Sequence, residues 1–237
     1  YRNRYDGPEE TPPWRILGVV PGTQLTYDPA PPAGAPSSLE QGQIARFRAS
    51  GPFVVRSQDA AHPFYVSAHM TGCEYAAMQA NASDSGDCRG DPEFVNVVPA
   101  AQYLSNYVFF TDPTYPETNL VVVRKKSANT FADVTLDCAG TLGGWQPVGN
   151  SGDYQYTRVD LVRHDFEKQG NCDNGRHSMD STGQFGVTVW GWGSAETKGD
   201  PQNTMGPGIF YSQAVSYAYP AGAGVAQVND VVVPVVK

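Results

Sequence analysis

The chain has 237 residues, of which 25 are Gly and 19 are Pro; 40% are hydrophobic and only 17% charged. That is one large domain or two small ones, with enough apolar material for a sizeable core. Its 16 basic and 24 acidic residues leave a formal charge of −8, which excludes the basic footprint of a nucleic-acid binder and disfavours an anionic membrane surface.

Period-two alternation dominates the chain, so strands are predicted almost throughout. Ile44, Arg46 and Arg48 alternate with Ala45 and Phe47. Phe53-Val54-Val55 follows a Ser50-Gly51-Pro52 turn, and Phe64, Val66, Ala68 and Met70 share a face. Helical turns are predicted only at Glu74–Gln79 and Ala100–Ser105. Leu120–Val123 is a continuous apolar run, expected of a strand covered on both faces. Arg124-Lys125-Lys126 reads as a strand end. Val134 and Leu136 share a face, as do Phe185, Val187 and Val189, while Gly149-Asn150-Ser151-Gly152-Asp153 is turn chemistry. The stretches 1–13, 29–38 and 195–207 read as loops or tails. No run approaches the ~20 apolar residues of a membrane helix.

A diverged internal repeat organises these strands. In each half a strand ends in Ser, a turn follows, and a Phe-x-Val-x-(Ala/Val) strand closes near a Gly: Phe64 to Ala68 in the first, Phe185 to Val189 in the second. The expected fold class is all-β: two related antiparallel β-sandwich-like units side by side, stapled by disulfides. Residues 1–98 form the first unit with its N-terminal tail, 99–227 the second, and 228–237 a C-terminal strand or linker. Within that tail, Val231 to Val236 is β-branched and uncharged, and Pro234 suits it to an edge strand.

Cys73, Cys88, Cys138 and Cys172 allow three pairings. The sequential one, Cys73–Cys88 and Cys138–Cys172, is expected because each pair brackets a polar, Gly-rich excursion. Buried thiols or a metal site are the alternatives, but zinc wants closely spaced ligands, and no C-x-x-C is present. Bridged cysteines imply an oxidising compartment, and the absence of an initiator Met leads us to expect a processed or excised piece, secreted or on a cell surface.

Three groups of residues resemble the IgGFc-binding protein N-terminal domain family as it occurs in large bacterial surface proteins. They are Asp91 to Pro99 with Tyr107 to Phe110, Trp145-x-Pro147-Val148-Gly149, and Phe185 to Gly191 followed by Ser216 to Gly222. The resemblance spans most of residues 14–222. It implies extracellular binding and adhesion, and it brings no catalytic residues. Relative to that family, 73–88, 163–177 and 195–209 look like insertions, and such loops are where specificity sits.

Each chemical constellation has a plainer reading. His62, His69, His164 and His177 stand near no G-x-S-x-G nucleophile motif, and acids in loops read as solvated before they read as a glycosidase pair. Asn81 to Asp87 mimics a calcium loop, but Pro92 stands where the bidentate Glu belongs. Arg89-Gly90-Asp91 and the sequon Asn81-Ala82-Ser83 are short enough to arise by chance. Trp190, Trp192, Tyr217 and Tyr219 are the candidate binding residues: exposed, their rings form a platform for a sugar or a partner side chain; buried, they pack the two units together. The expected function is thus a non-catalytic extracellular binding or adhesion module of a larger protein. A building block of a surface layer, stalk or filament is the alternative, and a carbohydrate-active hydrolase a distant third. No cofactor, metal or nucleic acid is called for; the expected partner is an extracellular protein or glycan, or a neighbouring copy.

Overall fold

The computed structural model describes residues 1, 9–72, 90–164, 166–193 and 215–231. Its regular structure is β throughout, apart from one 3₁₀ turn at Ala100–Gln102, where the second helical turn is predicted. Every ladder is antiparallel.

The first seven strands are β1 (Pro13–Gly18), β2 (Thr23–Asp28), β3 (Ser38–Leu39), β4 (Ile44–Arg48), β5 (Val54–Ser57), β6 (Phe64–His69) and β7 (Phe94–Asn96). They make a four-stranded sheet, β4-β1-β6-β7, and a three-stranded sheet, β3-β2-β5. Alternation along each strand sends one face inward. Ile16, Leu25, Leu39 and Phe47 meet there as a buried core, bordered by Trp14, Tyr27, Phe53, Phe64 and Val66. The sequence alternation Ile44-x-Arg46-x-Arg48 follows from this: Phe47 enters the core and the arginines stay in water.

The remaining strands are β8 (Leu104–Thr111), β9 (Glu117–Lys125), β10 (Val134–Leu136), β11 (Gly140–Thr141), β12 (Gln146–Val148), β13 (Tyr154–Arg163), β14 (Glu167–Lys168), β15 (Gly175–Trp192) and β16 (Ser216–Pro220). They form one nine-stranded sheet in the order β11-β10-β15-β9-β13-β12, with β14 added to β13 and both β8 and β16 to β15. The 18-residue β15 is its spine. Its first half pairs with β8 and β10, its second with β9 and β16. Val189 lies opposite Leu120 and Val187 opposite Val122, so these four share the core face with Phe185, Val134, Leu136 and Met179. Val121 and Val123 point to the other face and are half-buried, as a strand covered on both sides requires. Arg124 ends the apolar run by packing its guanidinium 4.1 Å from the Trp145 ring and 5.2 Å from Phe131.

Cys138 and Cys172 are bridged as expected, 34 residues apart in sequence. Cys73 and Cys88 lie outside the described residues, together with the helical turn at Glu74–Gln79 and the calcium-like loop. Of the C-terminal apolar segment only Val231 is described, and it belongs to no strand.

Candidate functional site

The outer face of the nine-stranded sheet packs against the first seven strands. Trp190 and Trp192 of β15 meet Ala68, Met70 and Val95 there in a buried cluster flanked by Trp14 and Val121. Beside this cluster lies a cleft of about 910 Å³ with mostly apolar walls, within the ~300–1,000 Å³ range of ligand sites. One wall is built by β13 and β9. Tyr154, Tyr156 and Arg158 alternate along β13, and the register sets Tyr156 opposite Val123 and Arg158 opposite Val121, so all face the cleft together. The other wall carries Trp14, Phe53 and Val66, with Trp14 and Phe53 edge-to-face at 4.9 Å. Arg158 supplies a positive charge, held 2.5 Å from Glu9 Oε1. Glu10, also on the wall, is buried and accepts from Thr71 Oγ1 at 2.6 Å. The cleft is an apolar slot with an ion pair at its side.

The four predicted aromatic residues do not form one platform. Trp190 and Trp192 are 3% and 0% exposed and serve as packing between the two sets of strands. β16 pairs Ala218 with Trp190 but Tyr219 with Val189 and Tyr217 with Gly191. The tyrosines therefore occupy the opposite face of the sheet, against the main core. Tyr219 Oη donates to the carbonyl of Phe110, and Tyr217 Oη accepts from the Asp112 amide at 3.2 Å, locking β16 to the end of β8. Burial pushes the Tyr217 phenol well above its usual pKa. Gly191 makes this possible, because a Cβ there would overlap the Tyr217 ring.

The histidines are engaged locally. His62 Nδ1 meets Asp59 at 2.6 Å and His164 Nδ1 meets Glu167 at 3.1 Å. The buried His177 meets Asp137 through Nδ1 at 3.0 Å and the Asp173 carbonyl through Nε2 at 2.8 Å, leaving neither nitrogen free for a nucleophile. His69 Nε2 lies 3.0 Å from Ser67 Oγ. Burial first, then the charge of Arg15, lowers its pKa, and among the described residues no carboxylate bonds its Nδ1, so the third member of a triad is missing. Asp137, Cys138 and His177 offer ligand atoms within 4.8 Å of one another. The sulfur of Cys138 is spent in the disulfide, however, and no thiolate is left to bind a metal. Of the Arg-Gly-Asp tripeptide, Arg89 lies outside the described residues and Gly90 donates to the Gly193 carbonyl at 2.5 Å.

The cleft residues Trp14, Phe53, Tyr154, Tyr156 and Arg158 are absent from the candidates drawn from sequence. The Tyr-x-Tyr-x-Arg alternation of β13 is the signal that was there to find; the partner wall, about a hundred residues earlier, is set by tertiary packing alone. Among the described residues no helix is long and apolar enough to cross a membrane. A family model described as IgGFc binding protein matches residues 1–191, which covers β1 through all but the last residue of β15. No curated protein matches the chain. Among solved structures, an anti-sigma factor domain-containing protein aligns over 83% of this chain and 78% of its own, at 14% identity and a TM-score of 0.21, a likeness too slight to carry an argument.

Proposed function

The chain belongs to the IgGFc binding protein family, and from that premise we propose that it is a non-catalytic, extracellular binding module of a larger surface protein, taking an apolar segment of an extracellular protein into the cleft between β13–β9 and β1–β5. The cleft is the observation that carries this reading: large, apolar, aromatic on both walls, with one ion pair to fix orientation. The description of the family, IgGFc binding protein, supports a protein ligand. The division into units 1–98 and 99–227 belongs to the same proposal, supported by the way β1–β7 keep to two small sheets and β8–β16 to the large one.

The test uses the whole chain and three purified proteins, immunoglobulin Fc, fibronectin and collagen, on a biosensor surface. Val121→Trp fills the cleft from its β9 wall. Binding to at least one of the three, lost in Val121→Trp while the far-UV spectrum and Tm hold, supports the proposal. No binding to any of them, or binding untouched by the filled cleft, contradicts it.

The β8 edge favours a second reading, a building block that joins its neighbours strand to strand. The Ser178 carbonyl accepts from the Asp137 amide and the Ser178 amide donates to the Asp137 carboxylate, both on the β10 side, so alternation turns His177 and Met179 toward β8. On β8 it then turns the backbone groups of Asn106 and Val108 outward. Among the described residues no strand pairs with that outer edge, and Val108 and Phe110 stand 64% and 58% exposed beside it. Self-association abolished by Val108→Lys/Phe110→Lys in analytical ultracentrifugation would favour assembly; a monomer at high concentration would rule it out.

A further inference from the structure

A second surface is the solvent face of β4-β1-β6-β7, which reaches the rim of the cleft at Tyr65. Register places Arg15 of β1 directly opposite Arg46 of β4, and Arg48 opposite Pro13 one step along. All three arginines are exposed. Directly opposed like charges destabilise a sheet, whereas four other arginines of this chain sit beside a carboxylate. Arg56, Arg124, Arg158 and Arg163 each lie 2.5 to 3.8 Å from a carboxylate. Among the described residues Arg15 and Arg46 have no such partner, and Arg48 Nη1 donates to the Thr11 carbonyl at 3.0 Å. Glu93, beside Phe94 of β7, accepts from the Phe94 amide at 2.8 Å. Among its described residues, a protein of charge −8 thus leaves a guanidinium pair without a carboxylate on this face.

Aromatic rings share that face. Tyr65 of β6 lies opposite Leu17 and is 45% exposed; Phe94 of β7 lies opposite His69 and is 55% exposed. The Phe94 ring is braced by stacking on His69, with centroids 5.5 Å apart and planes 27° from parallel. We infer that this face binds a sulfated polysaccharide. Two guanidiniums from adjacent strands supply paired, planar donors matched to a sulfate, and the rings beside them offer apolar faces for the sugars between sulfates. An extended peptide added as a strand would pair at β4 or β7, to the side of this face, because β1 and β6 are paired on both sides. The inference does not depend on the cleft's ligand.

The experiment measures retention of the full chain on immobilised heparin across a salt gradient, with polyglutamate and single-stranded DNA as competitors. Salt-sensitive heparin binding is expected, because each neutralised anion releases a counterion. Arg46→Glu should weaken it at least tenfold, Tyr65→Ala severalfold. Arg46→Glu should also raise the Tm of the unliganded chain, since it replaces an opposed like-charge pair by an ion pair with Arg15. Heparin binding unchanged in Arg46→Glu, competition by polyglutamate or DNA as strong as by free heparin, or a Tm lowered in Arg46→Glu would each overturn the inference. Protein binding through the cleft should be the same in wild type and Arg46→Glu, which separates the two sites.

Discussion

Replacing both Cys138 and Cys172 by Ala tests how far the second set of strands depends on its staple. The bridge closes a loop of 34 residues, and the loop-entropy relation gives about 13 cal/mol/K, or about 3.8 kcal/mol at 25 °C. That loop holds β11, β12, β13 and β14, so without the bridge the unfolded chain regains the freedom of four strands at once. Cys172 is 3% exposed and packs in the main core, so removing its sulfur leaves a small void and adds to the loss. For a chain of this size each kcal/mol moves Tm by about 2–4 °C, and the double variant should melt about 8–15 °C lower by scanning calorimetry. The substitution is preferable to a reductant because it leaves Cys73 and Cys88 untouched. A fall of under about 3 °C would refute the reasoning: the ladder between β9 and β13 would then already restrict the loop in the unfolded state.

Gly191→Ala should destabilise the chain by about 1–3 kcal/mol, the cost of overpacking, because the new Cβ displaces the Tyr217 ring; chemical denaturation reads it, and an unchanged midpoint contradicts the packing. Glu117→Ala breaks a buried ion pair with Arg163 at 3.1 Å, both side chains nearly inaccessible, and should cost about 3–5 kcal/mol, measured the same way. Asp28 ties β2 to the turn after β12 by accepting from the Asn150 and Ser151 amides at 2.7 and 2.9 Å. These bonds hold its pKa below the usual carboxylate value of 3.8. A depressed carboxylate pKa stabilises the fold at any pH above the unfolded value, and the contribution is lost as pH falls through the folded one. Asp28→Asn should therefore flatten the acid limb of stability below about pH 4 and leave its shape near neutrality unaltered; an acid limb identical to wild type would count against the contact.

Much of the fold was legible because strands announce themselves by alternation. Val134 and Leu136, or Phe185, Val187 and Val189, each bury one face as their spacing requires, and the excursion between Cys138 and Cys172 was polar enough to mark its own bridge. The site was harder to read. Trp190 and Trp192, two residues apart on one strand, share a face by spacing alone, yet only the register of β16 decides that Tyr217 and Tyr219 go to the other side. The cleft depends on which face of β13 meets β1, and no local spacing encodes that. Net charge also concealed the arginine face. Arg46 and Arg48 were visible as a one-sided pair, but Arg15, about thirty residues earlier, joins them only through strand pairing.

The most direct test of the central claim is hydrogen exchange of the chain alone and saturated with whichever of Fc, fibronectin or collagen it binds. If the cleft is the binding site, protection should rise in Val121–Arg124, Tyr154–Arg158 and Phe53–Val55, while β8 exchanges as before. Protection concentrated in Leu104–Thr111, with the cleft walls unchanged, would contradict the account and assign binding to the sheet edge.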